Sequence, residues 1–152
     1  IMSRRVDYLT GRAQEFGKLV AEHFMESRVT TCFQGSMADR VAIAITTGHF
    51  GSLPVVDEEG RLVGIISEFD LIKALRAGKN LDHITAKEVM TSNPVSVAES
   101  ASSDELMRVL EENHLIRVPV VDQEGKITGI VARRDVLHGY IQSKVGDLPW
   151  WM

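Results

Sequence analysis

Two four-residue stretches carry the side chains best suited to chemistry, Ser67-Glu68-Phe69-Asp70 and Ala132-Arg133-Arg134-Asp135. In each, an aspartate stands three residues after a position where a helix can begin. A serine there caps the helix, and the aspartate complements the positive end of the helix dipole. The same groups can also hold a small molecule. A hydroxyl and helix-start amides bind a phosphate, and a carboxylate accepts paired hydroxyl hydrogen bonds. The second stretch keeps the aspartate and loses the hydroxyl, while gaining an arginine pair. Cations favour phosphate and a carboxylate such as Glu68 repels it. Other chemistry finds no support. His23, His49, His83, His114 and His138 lack metal-ligand spacing, and His49 and His114 are expected at helix C-termini, where the dipole favours them. The single cysteine, Cys32, excludes an internal disulfide or multi-cysteine zinc site and reads as a small buried residue. G-x-S-x-G, P-loop and G-x-G-x-x-G motifs are absent from the sequence. No catalysis, metal or required cofactor is expected.

The elements that must position these groups repeat. Residues 54–72, PVVDEEGRLVGIISEFDLI, and residues 119–137, PVVDQEGKITGIVARRDVL, match at a constant offset of 65. Nine of nineteen positions are identical: Pro54/Pro119, Val55/Val120, Val56/Val121, Asp57/Asp122, Glu59/Glu124, Gly60/Gly125, Gly64/Gly129, Ile65/Ile130 and Asp70/Asp135. The register extends backward without a gap, pairing Met25 with Met90, Asp39 with Asp104 and His49 with His114. In each copy a DEEG or DQEG turn separates two runs rich in Val, Ile and Leu, the pattern of a β-hairpin. Apolar residues at helical spacing follow in SEFDLIKALRAG and ARRDVLHGYIQSKVG, and precede in SMADRVAIAITTGH and SSDELMRVLEENH. Ser102 and Glu105 have capping-box spacing, as do Thr85 and Glu88. Short apolar segments at 29–33 and 95–97 complete a β-α-β-β-α unit. One unit buries too little surface alone, so the two are expected to pack about a pseudo-twofold axis.

This reading divides the chain into an N-terminal amphipathic helix (1–23), a first repeat (24–77), a linker (78–86), a second repeat (87–142) and a tail (143–152). The helix is expected over 3–24, with Val6, Leu9, Ala13, Phe16, Leu19, Val20 and Phe24 near one face and packed on the repeats. Trp150 and Trp151 in the tail are expected to pack on something. Composition adds bounds. The 152 residues are 44% hydrophobic and 25% charged, which excludes wholesale disorder. A formal net charge of −4 provides no global field for nucleic acid. No apolar run approaches the roughly 18 residues of a membrane span, and IMSRRVDYLTGR lacks a signal-peptide core, so a cytoplasmic protein is expected. The unbroken apolar run Val41–Ile45 exceeds what one buried helix face needs, so a homodimer is expected, the alternative being that the N-terminal helix of the same chain covers the extra face.

Two copies of [V/I]-P-V-V-D-x-x-G-x-[L/I]-x-G-I-[I/V]-x-x-x-D, each between two helices, resemble a tandem pair of cystathionine-β-synthase (CBS) domains, a Bateman module. The resemblance covers roughly residues 24–142. It implies a mixed α/β fold and two clefts that bind adenosine-containing regulatory ligands such as AMP, ADP, ATP or S-adenosylmethionine. The family's signature, Ser or Thr three residues before Asp, falls on Ser67 and Asp70. It implies ribose binding by Asp70, in a cleft with Ile65, Pro94, Val95, Ile116, Arg117, Pro119, Arg133 and Arg134. A second, weaker cleft carries Thr30, Ser52 and Asp135. The implied role is a non-catalytic sensor. The alternative is an oligomerisation module with degenerate clefts, which loss of the hydroxyl at Ala132 favours. The regulated partner is not readable from the sequence.

Overall fold

Each half of the chain turns its repeated sequence into the same run of elements, apart from one extra two-residue strand in the second half. The computed structural model describes residues 15–145. A 3₁₀ turn at Phe16–Lys18 and helix α1 (Ala21–Phe24) open the first half, followed by β1 (Cys32–Phe33), α2 (Ala38–Gly48), β2 (Ser52–Val56), β3 (Leu62–Ser67) and α3 (Glu68–Arg76). A second 3₁₀ turn at Leu81–His83 and α4 (Ala86–Val89) open the other half, followed by β4 (Thr91–Ser92), β5 (Val97–Ala98), α5 (Ser103–Glu112), β6 (Arg117–Val121), β7 (Ile127–Ala132) and α6 (Arg133–Val145). The β-α-β-β-α pattern read from the sequence is the observed one. No helix among the described residues is long and apolar enough to cross a membrane.

Local chemistry explains the boundaries. Ser102 Oγ accepts from the N–H of Glu105 at the start of α5, and Thr85 N–H donates to Glu88 Oε2 at 2.7 Å at the start of α4, as the capping-box spacing requires. His49 and His114 stand just past the ends of α2 and α5 in left-handed backbone, with φ of 55° and 51°. Left-handed geometry of this kind terminates helices and exposes their last carbonyls to new donors.

The described residues fall into two compact units, one made of residues 30–94 and 124–127, the other of 15–29, 95–123 and 128–145. The first holds a four-stranded sheet in the order β1-β2-β3-β4, with β1 parallel to β2 and the other pairs antiparallel. Its core gathers Val41, Ile45, Leu53, Val55, Ile66, Leu71 and Ala86. The second holds a sheet in the order β5-β6-β7 and a core of Leu19, Phe24, Leu106, Leu110, Val118, Val120 and Val131.

The segment that opens each copy packs with the body of the other. Thr91 and Ser92, from the second half of the sequence, pair with Ile65 and Gly64 of β3. Glu26, from the first half, exchanges both backbone hydrogen bonds with Ile130 of β7, at 2.8 and 3.0 Å. The repeat therefore begins earlier than its most similar stretch. The two 3₁₀ turns, 16–18 and 81–83, are 65 residues apart, as are α1 and α4. The segment expected as a linker thus contains a structured turn and the start of α4.

The N-terminal helix differs from expectation. Residues 3–14 lie outside the described residues, and within 15–24 there is no continuous helix. Leu19 and Val20 are extended, with ψ of 149° and 169°. The reason is pairing with a distant segment of the same chain: Leu19 C=O accepts from Ser103 N–H, and Ala21 N–H donates to Ala101 C=O. Packing in place of helicity satisfies the apolar positions. Leu19 and Phe24 are buried, and the Phe16 ring meets Phe24 and Tyr140 edge-on at 5.8 and 5.5 Å. Trp150 and Trp151 lie outside the described residues.

Candidate functional site

Ser67 ends β3 and caps α3. Its Oγ accepts from the N–H of Asp70 at 3.2 Å. In return, Asp70 Oδ2 accepts from Ser67 N–H at 2.8 Å and from Ser67 Oγ at 3.0 Å. The helix-start role that the spacing allows is therefore realised. A carboxylate offers about four lone-pair positions, and Oδ1 is left with a single long bond from Thr91 Oγ1 at 3.3 Å. Asp70 is half-buried and lines a groove of about 360 Å³ together with Lys73, Ala74, Lys79, Glu88 and Thr91. This site can accept hydroxyl donors at Oδ1 without dismantling the cap.

Neighbouring predicted residues gather by the same pairing. Ser52 lies opposite Ser67, and Ile65 lies between Pro54 and Thr91 in the sheet. Glu68 N–H donates to Gly51 C=O at 3.1 Å. Pro94 is half-buried and Thr30 is exposed.

The second copy reproduces this frame. Asp135 Oδ2 accepts from Ala132 N–H at 2.9 Å, and Arg133 N–H donates to Ile116 C=O at 2.9 Å. Arg117 is half-buried in β6 beside the buried Val118 and Pro119, whereas Arg133 and Arg134 are exposed at the start of α6. Val95 and Ile116 are exposed apolar residues. These residues belong to the unit of β5–β7, while Ser67, Asp70, Ile65, Pro94, Thr30 and Ser52 belong to the unit of β1–β4.

The copies differ where the groove lies. Val89 of α4 lines it in the first unit. The equivalent residue of the other unit is Phe24, fully buried, whose ring comes within 2.4 Å of where a Cβ on Gly139 would stand. A glycine there admits the ring.

Thr91 was not singled out by the sequence reading. The constant offset pairs it with Glu26, so a difference in hydrogen-bonding capacity was visible, but only the strand register places it beside Asp70. Cys32 behaves as read: burial pushes its thiol up to about 11. Among the described residues no three His, Cys, Asp or Glu side chains converge as a metal site.

The model of the CBS domain family matches residues 20–77 and 86–141. The chain belongs to that family and carries two of its domains in tandem. The uncharacterized protein MK0525 of Methanopyrus kandleri is 34% identical over 101 residues, 66% of this chain and 52% of that protein, so the chain spans about half the length of that relative. Among solved structures, CBSX2 in complex with AMP is similar with a TM-score of 0.72 and 27% identity, over 82% of this chain and 98% of that one. The CBS domain pair of MJ0100, in complex with 5′-methylthioadenosine and S-adenosyl-L-methionine, gives a TM-score of 0.68 and 28% identity, over 79% and 98%.

Proposed function

We propose that this chain is a non-catalytic regulatory module that binds an adenosine-containing ligand, with Asp70 taking the ribose, and reports occupancy to a partner. One observation carries the reading. Asp70 lines a groove and is held at a helix start, with Oδ2 engaged by Ser67 and Oδ1 carrying one long bond from Thr91. A cap alone is also a sufficient structural role. The AMP complex of CBSX2 and the S-adenosylmethionine complex of the MJ0100 pair, both similar in fold, support a ligand in addition. Arg117, Arg133 and Arg134 of the other unit carry guanidinium groups, whose chemistry matches phosphate geometry. Asp135 is assigned to a weaker site, because Ala132 supplies no hydroxyl.

Thermal shift with AMP, ADP, ATP and S-adenosylmethionine tests the reading. A ligand at one hundred times its Kd stabilises by about 2.7 kcal/mol, a clear rise in melting temperature. No shift with any of the four overturns it in favour of a second reading, an oligomerisation module. That reading draws on exposed apolar side chains, with Ile43 56% and Phe69 85% accessible. A homodimer is part of both proposals, as is a cytoplasmic location.

A further inference from the structure

β4 is only two residues long and lies at the edge of its sheet, next to β3. Its register sets Thr91 opposite Ile65, two positions before Ser67. From there the Thr91 hydroxyl donates to Asp70 Oδ1 across 21 residues of sequence. This is not a helix cap, since it joins two elements. Asp70 thus has donors on both oxygens, Ser67 on Oδ2 and Thr91 on Oδ1. Rotation of the carboxylate plane breaks at least one of these bonds. A vicinal diol reads a carboxylate through two hydrogen bonds whose geometry depends on that plane.

The second copy is an internal comparison. Glu26 stands opposite Ile130 at the register position of Thr91, and its Oε1 accepts from Arg28 N–H at 3.2 Å. An ionised carboxylate has no hydrogen to donate, so Glu26 cannot do for Asp135 what Thr91 does for Asp70. The donor common to both aspartates is the backbone N–H of Ser67 or Ala132. In the first copy two side-chain hydroxyls, those of Ser67 and Thr91, also reach the carboxylate, and the positions equivalent to them hold Ala132 and Glu26.

We infer that Thr91 is a positioning residue that fixes the Asp70 carboxylate for a ribose diol and so sets the site's preference for ribose over deoxyribose. The inference rests on the proposed role of Asp70. Loss of one such hydrogen bond is worth roughly three- to tenfold in affinity. Discrimination between sugars falls with it, because a site built for hydroxyls is what rejects an analogue lacking one.

Titration calorimetry with AMP and 2′-deoxy-AMP on the full chain tests this. Thr91→Val is close in shape and keeps an exposed edge position, so its melting temperature should match that of the unaltered protein. It should bind AMP three- to tenfold more weakly and narrow the ratio of AMP to 2′-deoxy-AMP affinity. Thr91→Ser restores the hydroxyl and should bind within about twofold of the original. An unchanged AMP affinity and sugar ratio in Thr91→Val overturns the inference, while weakening by Asp70→Ala in the same experiment keeps the proposed function. Failure of the unaltered protein to bind AMP overturns both for this nucleotide class.

Discussion

At the scale of single residues, the repeat makes Asp70 and Asp135 controls for each other. Both accept from the backbone N–H three residues before them, so both should contribute to a helix start. Asp70→Ala should weaken adenosyl ligand binding ten- to a hundredfold, about 1.5–3 kcal/mol for hydrogen bonds to a charged acceptor. Asp135→Ala should leave that affinity nearly unchanged and cost some tenths of a kcal/mol of stability. Calorimetry on both variants checks the pair, and equal weakening would show that both sites matter. The first hairpin carries a second prediction. Asp57 in the turn after β2 accepts from Arg61 N–H and pairs with the Arg61 guanidinium at 2.9 Å. Chiefly through that backbone bond, its carboxyl is held below the ordinary 3.8. A depressed pKa adds stability that is present above the unfolded value and is lost as pH falls through the folded one. The stability gap between the wild type and Asp57→Asn in urea should therefore be larger near neutral pH than below about pH 3. Cys32 supplies the third: with a thiol pushed up to about 11, it should resist alkylation at pH 8 until the protein is unfolded. Much of this site was legible. Ser67 and Asp70 declared themselves by spacing and repetition, whereas Thr91 did not, because a hydroxyl on a two-residue strand acquires a role only through register.

Elements were legible where periodicity is local and missed where a distant partner decides. The helices α2, α3, α5 and α6 and the two hairpins follow from apolar spacing and turn glycines. The continuous N-terminal helix fails at Leu19 and Val20, whose apolar character suits a helix face as well as an extended crossing. The backbone acceptor and donor at Ala101 and Ser103 settle the matter, and they lie more than eighty residues away. The repeat did contain the missing signal, since residues 16–24 sit 65 positions before a stretch with the same 3₁₀ turn and short helix. Packing of that helix gives a test at this scale. Phe24 is fully buried against Gly139, while its counterpart Val89 is half-buried beside an open groove. Phe24→Ala should cost about 3–5 kcal/mol, and Val89→Ala distinctly less, because the cost grows with the cavity left behind. Gly129 makes a related case. A Cβ there would lie 2.3 Å from Met25 Sδ and 2.9 Å from Met25 Cβ. A methionine tip can swing away, but its Cβ cannot, so Gly129→Ala should destabilise by about 1–3 kcal/mol. Urea denaturation of the three variants measures all of these.

For the whole molecule, the exchange of opening segments means that neither copy is a folding unit as its sequence is written. A fragment ending at residue 77 lacks β4, which pairs with β3, and Ala86, which is fully buried in the core of the β1–β4 unit. The surface of each unit then bears on the homodimer. Of the run Val41–Ile45, Val41 and Ile45 are buried and Ile43 is 56% exposed. A single such residue is ordinary, but α3, which packs beside α2, adds Phe69, Ile72 and Leu75, each more than half exposed. Their spacing of three places them along one side of the helix. In the other unit, α6 exposes Leu137, Tyr140 and Ile141. At the constant offset Ile72 matches Leu137 and Leu75 matches Tyr140, while Phe69 matches Arg134, so two of the three positions are apolar in both copies. Solvated helix faces are ordinarily polar, and apolar patches of this kind mark association surfaces. The proposed occupant is a second copy of this chain, because a repeated apolar face on both units offers the self-matching surface that a twofold dimer requires. Light scattering at tens of micromolar should give the mass of a dimer. Ile72→Asp and Leu137→Asp, each placing a charge on an exposed position, should shift the mass toward monomer with little change in the circular dichroism spectrum. A monomer in the unaltered protein would sink the dimer, and a dimer unaffected by either substitution would move its interface off these helices.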